Sequence, residues 1–124
     1  MSQSRRAYEL PYPPSVNHYW RHVGPRVLIS REGRAYREAV GLRLLAQRVA
    51  PMAGPLAVVI EAYPPDRRRR DIDNILKATL DALEHGGAYA DDGQIVRLVV
   101  RKHGPCPGGR MTVTLRPGQG DTPT

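Results

Sequence analysis

A single α+β domain, with a mixed sheet of about four strands covered by two helices in the chain order β-α-β-α-β-β, is the fold this sequence predicts. Three observations lead there. The chain has 124 residues and 40% hydrophobic content, which suffices for one ordinary core and excludes a second. Two stretches carry apolar residues at helical spacing, and others carry them in runs or alternation bounded by Pro and Gly.

Arg5 to Leu10 reads as a short first strand, because Pro11, Pro13 and Pro14 then deny the ladder its donors. The loop that follows, PPSVNHYWRH at residues 13–22, sets Asn17, His18, Tyr19, Trp20, Arg21 and His22 side by side. Aromatics beside arginine can stack on bases or sugars, but Tyr19 and Trp20 serve equally to anchor the loop on the core, and anchoring is the preferred expectation. His18 and His22 stand at i, i+4 in a Pro-led loop, a weak basis for zinc, so packing or phosphate contact is expected instead.

Ser30 is a reasonable N-cap for a first helix in which Tyr36, Val40 and Leu44 repeat on one stripe, flanked by Ala39 and Leu45, and which ends before Pro51. Leu56 to Tyr63 is an almost continuous apolar run, expected of an interior strand buried on both faces, and Pro64 with Pro65 stops it. The second helix begins near Ile72 with Asp71 as its N-cap. Ile72, Ile75, Leu76, Thr79 and Leu83 share its inner face, and Gly86 with Gly87 ends it. Gln94 to His103 is then a strand with Val96, Leu98 and Val100 toward the core, and GPCPGG at 104–109 turns it into Arg110 to Arg116 as a hairpin. The tail PGQGDTPT has nothing to bury and is expected to be disordered, which puts the domain at 1–117 and the tail at 118–124.

The balance of 19 Lys plus Arg against 12 Asp plus Glu gives a net charge of +7, which favours a polyanionic partner. Biased codon usage would also yield an arginine-rich, Phe-free chain, so charge alone decides nothing. The single Cys106 excludes an internal disulfide framework, and no apolar run nears the roughly 18 residues that span a bilayer. A cytoplasmic protein with no membrane role and no small-molecule cofactor is expected.

The chemistry concentrates in YPPDRRRRDIDN, Tyr63 to Asn74. Arginines attract phosphates, and clustered carboxylates hold a hard divalent cation. Asp71 and Asp73 point the same way on an extended backbone but diverge by about 200° on a helix, so they converge only at the helix entrance. Capping of the free N–H groups explains the same pair equally well. Reach favours the metal: the helix advances about 20 Å, and six extended residues return about 20 Å, which just brings Asp91 or Asp92 back. Lys77, one turn after Asp73, suits either a scissile phosphate or an ion pair with Asp73.

The blocks PPSVNHYWR, SREGRAYR (30–37), PPDRRRRDIDNILKATLDAL and YADDGQIV together resemble the RusA-type Holliday junction resolvases over nearly the whole chain. The resemblance implies a homodimeric, Mg²⁺-dependent endodeoxyribonuclease of DNA recombination and repair, in which Mn²⁺ can substitute, making paired symmetric nicks across four-way junctions. It implies a catalytic and metal-binding triad of Asp71, Asp73 and Asp92 with Lys77 as a further catalytic group. DNA contact falls to Asn17, Arg67, Arg68, Arg69 and Arg70. Val16 and His18 depart from the polar run expected after PPS. Two rivals stand beside this reading: a non-catalytic module gripping structured nucleic acid, and a nuclease of the same chemistry acting on flaps.

Overall fold

The computed structural model describes residues 5–118. Six strands and three helices follow in the order β1 (Arg6–Leu10), α1 (Val16–Tyr19), β2 (Trp20–Val23), β3 (Arg26–Ile29), α2 (Arg31–Ala46), β4 (Leu56–Tyr63), α3 (Leu76–His85), β5 (Ile95–Lys102) and β6 (Arg110–Pro117). Strands β1, β6, β4 and β5 form one mixed sheet in that spatial order, as the α+β expectation requires. The small β2–β3 ribbon and the single turn of α1 occupy what the sequence presents as a loop. Of the tail expected at 118–124, residues 119–124 lie outside the described residues, while Gly118 donates its N–H to the Pro55 carbonyl at 2.7 Å and Pro117 closes β6.

Strand β4 pairs parallel with β5 and antiparallel with β6, so β4, α3 and β5 form a crossover unit. This corrects the expected hairpin: β5 and β6 lie on opposite flanks of β4, and the loop between them crosses the end of that strand. Helices cover one face only. Val58, Ile60 and Ala62 are buried there beside Leu115, Val113 and Met111 of β6, whereas Val59, Glu61 and Tyr63 alternate to a half-open face. The expectation of two buried faces read the apolar run of β4 without its polar punctuation.

Strand β5 takes the sheet's edge, beyond the reach of the helix layer. Val96 is therefore 56% and Leu98 38% exposed, and only Val100 of the expected inward row packs against the core. The stripe of α2 holds as expected through Tyr36, Val40 and Leu44, but Leu45 faces solvent. Gly33 in its first turn admits close contact, since a Cβ there would come within 2.7 Å of the Ile29 side chain.

Tyr19, fully buried, donates to Asp81 of α3, and Arg37 of α2 donates Nε to the same carboxylate at 2.8 Å. Tyr19 thus anchors the loop, and Arg37 is a structural pair rather than a solvated charge. Burial pushes the Asp81 carboxyl up, but hydrogen bonds from Arg37 and Tyr19 outweigh it and leave it below its ordinary value. The resulting stability is full above the unfolded carboxylate value near about 4 and is lost as pH falls through the lower folded value. Asp81→Ala is expected to lower the unfolding free energy by roughly 2 kcal/mol, less than a fully buried pair because the side chains of Arg37 and Asp81 stay 25% and 23% exposed. Urea melts at pH 7 and pH 3 check this: the gap between variant and parent narrows at the acid end.

Candidate active site

The segment between β4 and α3 leaves the sheet at Pro64 and enters a 3-10 turn, Ile72–Ile75, before α3 begins. Ile72 opens this turn ahead of the packed part of the segment and is 44% exposed rather than turned inward, whereas Ile75 is buried. Asp71 occupies the N-cap position with extended backbone, yet its side chain makes no capping bond. Asp71 and Asp73 are both exposed, and among the described residues neither forms an ion pair. The capping explanation of this pair therefore lacks the bond it requires.

The arginine run divides. Arg70 binds the Asp66 carboxylate at 2.7 Å and lies 5.7 Å from the Tyr12 ring centroid, while Arg68 donates its backbone N–H to Asp66 at 3.0 Å with its guanidinium 3.4 Å away. Arg70 and Arg68 hold Asp66 well below the usual carboxylate range, so the loop is ordered by its own acid. Arg67 and Arg69 are exposed, with no ion pair among the described residues. Lys77 is exposed as well and forms no pair with Asp73; its ammonium stands 6.0 Å over the Trp20 ring centroid. Asn17 is exposed in the turn of α1. Asn74, which sequence reasoning passed over, ties the two segments together by accepting from the Val16 N–H at 3.3 Å. Its place directly after Asp73 was the available signal.

The second acidic pair separates by role. Asp91 accepts from the Gly93 N–H at 2.9 Å and forms a reciprocal capping box with Gln94, whose amide also reaches the Met52 and Gly54 carbonyls. Asp92 instead turns to α3: the Tyr89 hydroxyl lies 2.8 Å from its Oδ1 and 2.8 Å from the Leu80 carbonyl oxygen. Burial and then the Asp92 charge raise the pKa of Glu84, a sign of negative charge accumulating at this end of the helix. Leu80 follows Asp73 by about 10 Å of helix, so the returning chain stops short of the first pair. Tyr89 is held there by its bridge to Met52. Among the described residues no three carboxylate, imidazole or thiol groups gather in one place to hold a metal ion.

The donor chemistry suits a hard divalent cation, since all three aspartates offer oxygen and two carry no competing partner. Within one chain the geometry supplies two of the three together. At the far end of β5, Lys102 donates its ammonium to the Arg70 carbonyl at 2.8 Å, which fixes that end of the strand beside Asp71. Asp92 precedes the opposite end of that strand, on the side of Leu80.

The chain matches the family model described as Endodeoxyribonuclease RusA over residues 11–116. It is 44% identical over 107 residues to the crossover junction endodeoxyribonuclease of Enterobacteria phage 82, covering 86% of this chain and 89% of that one. Proteins of the same name from Escherichia coli K12 and Shigella sonnei Ss046 are each 44% identical over 108 residues, with 86% and 89% covered. Because the family model spans most of the chain and takes in the arginine run with Asp71, Asp73, Asp91 and Asp92, the chain belongs to the RusA endodeoxyribonuclease family.

Proposed function

We propose that this protein is a divalent-metal-dependent endodeoxyribonuclease that resolves four-way DNA junctions by paired nicks, in recombination and repair, acting as a homodimer in the cytoplasm. The observation that carries it is that Asp71 and Asp73 are exposed, without a side-chain capping bond and, among the described residues, without an ion pair, beside the exposed cations Arg67, Arg69 and Lys77. Exposed carboxylates without a protein partner are available to a cation, and the arginines allow a polyanion to approach them. Asp71, Asp73 and Asp92 would hold Mg²⁺ or Mn²⁺, which when bound activates water and offsets charge on the phosphodiester. Arg67 and Arg69, with Asn17, grip the DNA backbone, and Lys77 faces the leaving oxygen. Tyr89 fixes the rotamer of Asp92.

Dimerisation bears on this directly. The free edge of β5 carries uncovered Val96 and Leu98, and antiparallel pairing of two such edges sets the start of one β5 against the end of the other. Asp92 of the partner subunit then approaches Asp71 and Asp73, completing the ligand set.

Purified protein on four-way, flapped and linear duplex DNA, with and without Mg²⁺, tests the reading. Symmetric paired nicks on the four-way junction are expected only with the metal. Binding without cleavage under every divalent ion would instead make the protein a structure-specific binding module, and preferential cutting of flaps would move its substrate.

A further inference from the structure

Beside the Asp71–Asp73 turn lies a cavity of about 710 Å³ whose walls include Tyr12, Pro13, His18, Ala35, Arg69 and Asn74. Its size falls within the range of sites that enclose an organic ligand, and exceeds what a phosphate contact needs. We propose that this cavity receives one unstacked nucleotide from the branch point of the DNA, an inference that rests on the assignment above.

The walls match the parts of a nucleotide. Pro14 and the Tyr12 ring, both partly exposed, give apolar surface for a base face, and the Arg70 guanidinium, 5.7 Å from the Tyr12 ring centroid and itself on the cavity wall, braces that ring. Arg69, which forms no ion pair among the described residues, supplies a cation for the phosphate. His18 engages Ser15 Oγ through Nδ1 at 3.1 Å, which leaves Nε2 for a base edge. Asn74 spends its oxygen on the Val16 N–H and keeps its amide donors. Because Asn74 directly follows Asp73, an occupant of the cavity stands next to the carboxylates that would face the scissile phosphate. A branch-point nucleotide, already poorly stacked, leaves the duplex at the smallest energetic cost. The cavity thereby couples the location of the branch to the location of the cut.

Photocrosslinking tests this. Four-way junctions bearing 5-iodouracil at each branch nucleotide in turn are bound without divalent metal, irradiated, and the protein adducts mapped. One position is expected to crosslink to Tyr12 or His18. Ala35→Trp, a helix-compatible change at an exposed wall residue, fills the cavity without removing charge. It is expected to cut that crosslink about tenfold while junction affinity falls less than about threefold, with an unchanged melting temperature. Should Ala35→Trp melt early, Ala35→Met is the milder filling with the same expected direction. Binding with crosslinks confined to other residues, or a yield indifferent to filling, overturns the cavity assignment and leaves the nuclease reading standing. Absence of binding to any branched DNA overturns both.

Discussion

Asp73→Asn is expected to reduce nicking of a four-way junction on the order of a thousandfold while changing junction affinity little. The substitution replaces a carboxylate oxygen by an amide group of the same size, so the 3-10 entry to α3 keeps its shape. Asp73 makes no ion pair among the described residues, and its backbone carbonyl, which accepts the Leu76 N–H, is untouched. Folding therefore has little reason to change. What changes is charge: the neutral amide is a poorer ligand for a hard divalent cation, and losing transition-state charge stabilisation of this kind costs about two to three orders of magnitude in rate. Binding moves oppositely, because removing one negative charge from a surface that meets phosphates lowers repulsion. Single-turnover nicking rates and gel-shift affinities at matched Mg²⁺ check both halves. Retained nicking with lost binding would remove Asp73 from the metal site.

The parts of this molecule legible from sequence are those governed by local pattern. The stripe Tyr36, Val40, Leu44 and the N-cap Ser30, whose Oγ accepts from the Gly33 N–H at 2.9 Å, are set within a few residues of chain and stand as expected. The four-strand α+β class follows likewise. Strand order is different, because Met111, Val113 and Leu115 alternate identically whether their neighbour is β5 or β4, and only tertiary packing chooses. The exposure of Leu98 is illegible for a related reason: it lies on the same face as Val58, and its uncovered state depends on where α2 and α3 end. At the site, chain reach permitted Asp92 to return to Asp73, since length sets only an upper limit. The bridge from Met52 to Tyr89 and the Tyr89 hydroxyl use up that reach and hold Asp92 beside Leu80.

That separation yields a prediction with a yes-or-no outcome. Asp73→Asn and Asp92→Asn variants, each inactive alone, are expected to regain nicking when mixed and allowed to exchange subunits. If each metal site takes Asp71 and Asp73 from one chain and Asp92 from the other, a mixed dimer carries one site with both defects and one with none. Free exchange makes half of the dimers mixed, so activity should recover to about a quarter of the parent value, with single nicks in place of paired ones. Sites built within single chains leave every site defective, and the mixture stays inactive. Val96→Asp with Leu98→Asp provides the companion measurement. Both side chains are already exposed in the isolated chain, so the fold tolerates charge there, whereas two such edges facing each other would place like charges in contact. Sedimentation should then show a folded monomer, and nicking should fall with the dimer. A monomer that still nicks at the parent rate would place all three carboxylates within one chain and require Asp92 to leave Tyr89 on binding DNA.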